Sequence, residues 1–132
     1  MANLYNHILL PVDGSQQSID AFKTGVHQAK NWNSRVYVVQ VLPEDYNVAH
    51  IKERESFLNA LENYAHREGV SLNKELVYGD PRTQIASELV ERWNIDLIIM
   101  GATGKGRLTK LLIGSVTQYV VQHTKCDLIV SR

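Results

Sequence analysis

Five short apolar runs alternate with four longer stretches of helical spacing along the 132 residues. HILLPVD (7–13), RVYVVQVL (35–42), KELVYG (74–79), DLIIM (96–100) and DLIVS (127–131) each suit a β-strand. DLIIM and VYVVQV are apolar without clean alternation, the mark of strands covered on both faces. Between the runs, apolar residues recur at helical intervals over 15–31, 50–68, 81–93 and 115–123. Ile19, Phe22, Val26 and Ala29 share one face of the first stretch, and Ile85, Leu89 and Trp93 one face of the third. Boundary signals agree. Ser15 with Ser18 suits a helix start, Gly69 a helix end, and Asp80-Pro81 opens the third helix with proline in its first turn. Strands alternating with helices predict an α/β fold, an open five-stranded parallel sheet with right-handed crossovers and helices on both faces. Periodicity leaves the strand order open. The longest irregular connection is PEDYNVAHIKERESF, after the second strand.

The length predicts one domain, residues 1–132, with a substantial core. Lys plus Arg and Asp plus Glu are 14 each, so no net field draws the chain to nucleic acid or to an anionic membrane. Any anion must be captured locally. Cys126 is the single cysteine, which excludes an intramolecular disulfide and fits a reducing compartment. The opening MANLYNHILLPVDGS lacks the basic end and long apolar stretch of a signal peptide. No apolar run reaches bilayer-spanning length. The expectation is a cytoplasmic protein.

The chemistry concentrates in GATGKGRLTKLLIGS (101–115), directly after the fourth apolar run. Two phosphate motifs nearly fit. A P-loop needs G-x-x-x-x-G-K-[ST], but Arg107 stands at the lysine position and Leu108 at the hydroxyl position. The dinucleotide fingerprint fails after Gly104-Lys105-Gly106, and it belongs behind the first strand. The ingredients of an anion site remain. Gly101 and Gly104 can take positive φ and let backbone N–H groups approach an anion. Gly114 and Ser115 open the last helix, whose first N–H groups and dipole favour negative charge. Ser115 can cap that helix or donate to a phosphate. Lys105, Arg107 and Lys110 add positive charge, and Leu108, Leu111, Leu112 and Ile113 can anchor the loop. A plain glycine loop before a capped helix has the same composition. At the end of the first strand, Asp13 can accept from ribose hydroxyls, help hold a metal, or cap the Gly14 turn.

Together these residues resemble the universal stress protein family, in its ATP-binding branch. That branch carries G-2x-G-9x-G-[ST] after the fourth strand, which here reads Gly101, Gly104, Gly114, Ser115. The opening ILLPVDGS and the closing GSVTQYVVQHTKCDLIV extend the likeness over essentially the whole chain. The resemblance implies a Rossmann-like sheet of strand order 3-2-1-4-5, and ATP, with Mg or Mn, as ligand. It implies that Pro11, Val12 and Asp13 border adenine and ribose, with Val41 touching adenine through its backbone. Met100 and Gly101 would line the nucleoside, and Thr103, Gly104, Gly114, Ser115 and Val116 would surround the phosphates. It also implies a homodimer through the last strand, 127–131. That strand is apolar and would lie at a sheet edge, which invites pairing with a second chain. Lys125, Asp127 and Arg132 could instead shield it.

An enzyme is the competing class. His7, His27, His50, His66 and His123 show no metal-ligand spacing such as H-E-x-x-H, and there is no G-x-S-x-G elbow. Cys126, just before a strand, suits a small buried hydrophobe. PVDGSQQS contains neither H-x-G-H nor S-G-G-x-D-S, and Asp13 lacks the acidic neighbour of a phosphoacceptor domain. The reading is an ATP-binding regulatory stress-response module with no catalytic residue and no assigned protein metal ligand. A slow nucleotide hydrolase or transferase, or a binder of another adenine nucleotide such as a cyclic one, are the alternatives.

Overall fold

The structure, a computed structural model, describes residues 4–103 and 113–132. Its strands are β1 (His7–Pro11), β2 (Arg35–Leu42), β3 (Leu72–Tyr78), β4 (Leu97–Gly101) and β5 (Asp127–Ser131). They form one sheet in the order β3-β2-β1-β4-β5, every pairing parallel. Helix α1 (Gln16–Trp32) follows β1, and α2 (Ile51–Arg67) follows β2 after a short 3₁₀ turn at Val48–His50. The predicted third helix is a composite of α3 (Pro81–Thr83), a π turn (Gln84–Glu88) and α4 (Leu89–Arg92). Helix α5 (Ser115–His123) precedes β5.

Strand alternation divides the core into two layers. Ile8, Leu10, Val36, Val38, Leu97 and Ile99 face α1 and α2, where they meet Phe22, Val26, Leu58 and Leu61. Leu9, Val39, Ile98 and Met100 face the other way, onto Ile85, Leu89 and Val120. Every residue of β4 is buried, as a non-alternating run requires, whereas the edge strands β3 and β5 are only partly covered. Helix ends follow the local chemistry. The Ser15 hydroxyl accepts from Ser18 N–H at 3.2 Å, and Gly69 leaves α2 at φ 79°. The Asp80 carboxylate accepts from Arg82 N–H at 2.9 Å.

Three strands differ in their bounds from the periodic reading. β1 ends at Pro11 instead of 13, β3 spans Leu72–Tyr78 instead of 74–79, and β4 spans Leu97–Gly101 instead of 96–100. The first difference has a physical reason. Val12 N–H donates to Val39 C=O at 2.8 Å, so Val12 turns its polar groups toward β2. Backbone direction alternates along a strand, so residue 11 faces β4, and a proline there has no N–H to donate. The β1–β4 register accordingly covers only Ile8↔Leu97 and Leu9↔Ile98. Beyond it the two strands part.

Candidate functional site

The gap opens where the winding reverses, because β1 connects through α1 to β2 on one side while β4 lies on the other. Such a crevice, at the carboxyl ends of parallel strands, is where open α/β sheets take ligands. It holds a cavity of about 380 Å³, within the few-hundred-Å³ range of small-molecule sites. Pro11, Val12 and Asp13 line it from β1, Val41 from β2, and Met100, Gly101 and Thr103 from β4 and its exit. Gly114, Ser115 and Val116 line it from the start of α5. The cavity thus gathers every described member of the residue set read from sequence. Gly104 lies outside the described residues, as do Lys105, Gly106, Arg107, Leu108, Lys110, Leu111 and Leu112.

Asp13 is held by its turn. Its Oδ1 accepts from Ser15 N–H at 2.9 Å and its own N–H donates to Ser18 Oγ at 3.3 Å. Gly14, between them, sits at φ 89°, a conformation that suits glycine. Asp13 therefore caps the Gly14 turn and lines the cavity at once. The two roles weighed for it are compatible.

Gly101 departs from the expectation of positive φ. It ends β4 with ordinary strand backbone, and the left-handed glycines among the described residues are Gly14, Gly69 and Gly79. What requires glycine at 101 is proximity: a Cβ there would lie 3.3 Å from the carbonyl oxygens of Gln17 and Thr103. Helix α1 packs its first turn directly onto the end of β4. The contact is reinforced by the Gln17 side chain, whose Oε1 accepts from both the amide and the hydroxyl of Thr103, the latter at 2.7 Å.

The start of α5 also departs from expectation. Gly114 is the N-cap, at φ −64° and ψ 158°, and Ser115 is the first helical residue, so the Ser115 hydroxyl does not cap the helix. Gly114 has no side chain with which to cap α5. Gly114 N–H donates to Ala102 C=O at 2.7 Å, and the buried Thr117 hydroxyl donates to Gly101 C=O at 2.8 Å. These bonds join α5 to the end of β4. The amides of Ser115, Val116 and Thr117 are those that helix geometry leaves without an intrahelical acceptor. They lie at the positive end of the dipole and beside the cavity. Among the described residues, the site therefore pairs an apolar wall (Val12, Val41, Met100) with a helix terminus that its glycine N-cap leaves without a side-chain cap, and with a carboxylate.

The Universal stress protein family model matches residues 4–132. The chain belongs to the universal stress protein family. A universal stress protein of Methanocaldococcus jannaschii is 33% identical to it, the alignment covering 97% of this chain and 82% of that protein. Among solved structures, a universal stress protein from Archaeoglobus fulgidus in complex with dAMP superposes with a TM-score of 0.80 at 20% identity, covering 98% of this chain and 99% of that one. A universal stress protein in complex with cAMP gives a TM-score of 0.76 at 23% identity, with 97% of each chain covered. These two likenesses bear on the fold, and the shared α/β architecture is the one described above.

Sequence reading missed several members of this universal stress protein cavity. Ser18, Pro81, Ile85 and Thr117 also line it. Pro81 and Ile85 had a signal only as helix-start and core residues. The strand order brings the helix after β3 across the sheet face to the carboxyl end of β1, and periodicity does not supply that order. Among the described residues, no three His, Cys, Asp or Glu side chains form a metal-holding group. No helix among them is long and apolar enough to cross a membrane.

Proposed function

We propose that this chain binds an adenine nucleotide, ATP with Mg or Mn, in the β1–β4 crevice and acts as a regulatory stress-response module in the cytoplasm. The observation that carries the proposal is the cavity itself: Asp13, Thr103, Gly114 and Ser115 converge there with Pro11, Val12, Val41, Met100, Gly101 and Val116. In this reading Pro11, Val12, Val41 and Met100 sandwich adenine, and Asp13 accepts from the ribose hydroxyls. Gly101 lines the nucleoside. Thr103, Gly114, Ser115 and Val116, with Gly104 of the spaced-glycine motif, surround the phosphates at the start of α5. The Asp13 carboxylate and Ser115 hydroxyl are hard oxygen donors of the kind that suits Mg or Mn. Relatives of the same fold that bind dAMP and cAMP support the adenine class. The functional unit is proposed to be the whole domain, 1–132, paired as a homodimer through β5.

The cAMP-bound relative favours one second reading, in which a cyclic adenine nucleotide is the ligand. Calorimetric titration and thermal melting with ATP–Mg, AMP and cAMP separate the two. A ligand specific to the folded state at a hundredfold excess over its Kd adds about 2.7 kcal/mol of stability, on the order of 10 °C in Tm for a chain of this size. We expect ATP–Mg to give the largest shift. A larger shift with cAMP selects the cyclic-nucleotide reading, and no shift or heat with any of the three refutes the adenine-nucleotide site.

A further inference from the structure

Gln17 lies in the first turn of α1 and is absent from the cavity wall, yet its side chain holds the residue at the phosphate end of that wall. Thr103 N–H and Thr103 Oγ–H both donate to Gln17 Oε1, the hydroxyl at 2.7 Å. An amide N–H can only donate, so the atom facing it must be the carbonyl oxygen of Gln17. That oxygen satisfies two donors of one residue at once. The Gln17 main chain is committed to the same place, its carbonyl lying 3.3 Å from where a Cβ on Gly101 would stand. Thr103 is itself only 9% exposed, so its amide has little water to turn to if Gln17 is removed.

The position of Gln17 is in turn set by Asp13. The Asp13 carboxylate accepts from Ser15 N–H, and the Ser15 hydroxyl accepts from Ser18 N–H, which fixes the first turn of α1. A single helical turn thus bridges the Asp13 end of the cavity to the Thr103 end. We propose that Gln17 is a positioning residue for the phosphate end of the site, acting through Thr103 and fixing the exit of β4 before ligand arrives. The role rests on the adenine-nucleotide reading above. Holding that exit in place in the free protein removes an ordering cost from phosphate binding and leaves the adenine end untouched.

The test compares Gln17→Met, which keeps side-chain length and removes the acceptor, with Gln17→Glu, which keeps the acceptor. Two readouts are needed: affinity for ATP–Mg and for adenosine by calorimetry, and hydrogen exchange at the Thr103 amide without ligand. Gln17→Met is expected to exchange faster at Thr103 and to lose about tenfold in ATP affinity, as for a missing hydrogen bond, with adenosine affinity unchanged. Gln17→Glu should keep the parent's protection at Thr103. Equal losses for ATP and adenosine, or parental ATP affinity in Gln17→Met, overturn the positioning role while leaving the site standing. A parent protein that binds neither ligand refutes the nucleotide reading and this role with it.

Discussion

At the scale of single residues, the two glycines that bound the described part of the motif do different work. Gly101 is needed because α1 and Thr103 crowd the space a Cβ would fill, not because its backbone is left-handed. Gly114 has a backbone that any residue adopts, at φ −64°. Its lack of a side chain means that the N-cap residue itself does not cap the start of α5. Serine is among the best N-cap residues, and the Gly114 backbone is already in the extended region that an N-cap uses. A Gly114→Ser hydroxyl would therefore accept from the first-turn amides that an incoming phosphate needs. We expect Gly114→Ser to stabilise the fold by roughly a few tenths of a kcal/mol while weakening ATP binding, a small exchange of stability against function. Denaturant unfolding and titration on the same sample measure both. Undiminished ATP affinity in the capped variant would show that phosphate does not use these amides.

At the scale of elements, chemistry written into a few neighbouring residues was legible and chemistry that depends on packing was not. Asp80-Pro81 marks the third helix, and the structure has Asp80 as its N-cap, with Arg82 also paired to the carboxylate at 3.3 Å. Ser15, Gly69 and the buried strand β4 were equally readable, since caps and unbroken apolar runs are local. The π turn at Gln84–Glu88 was not. Its extra residue per turn preserves the apolar face of Ile85 and Leu89, so a period of 3.6 describes it almost as well. Nor could sequence reveal the Gln17–Thr103 pair, which joins residues 86 positions apart. The Asp80 cap carries a pH signature. The Arg82 side chain, then the Arg82 amide, hold the Asp80 carboxyl below its usual 3.8 against a slight desolvation. A carboxyl depressed by folding stabilises the native state above its unfolded pKa, and that contribution fades as pH falls through the folded value. Asp80→Ala should thus melt below the parent at neutral pH, with the gap closing below pH 3.8. Melting curves across that range decide it: a gap independent of pH would mean that the charge contributes nothing.

At the scale of the whole molecule, the strand order places β1 and β4 at the centre and leaves β3 and β5 as edges. The central pair makes the crevice, and the last edge bears on assembly. Ile129 is 38% exposed on β5 and Val121 is 50% exposed on the helix before it. Asp127, which could have guarded the edge, is bonded to the Tyr5 hydroxyl at 2.6 Å. A second copy meeting this strand antiparallel about a twofold axis would satisfy both edges in a closed arrangement. The backbone specifies how to test this. Ser131 C=O accepts from Ala102 N–H, so Ser131 and, two residues back, Ile129 turn their polar groups inward to β4. Leu128 and Val130 therefore present the outward donors that a partner strand needs. Proline at position 129 would break the ladder inside one chain, whereas Val130→Pro removes only an outward donor, the place where an edge strand tolerates proline. We expect light scattering at micromolar concentration to give twice the chain mass for the parent and the single-chain mass for Val130→Pro, with the variant's fold intact by circular dichroism. A parent of single-chain mass refutes the dimer. A Val130→Pro protein that still measures twice the chain mass would mean that the two copies meet through some other surface.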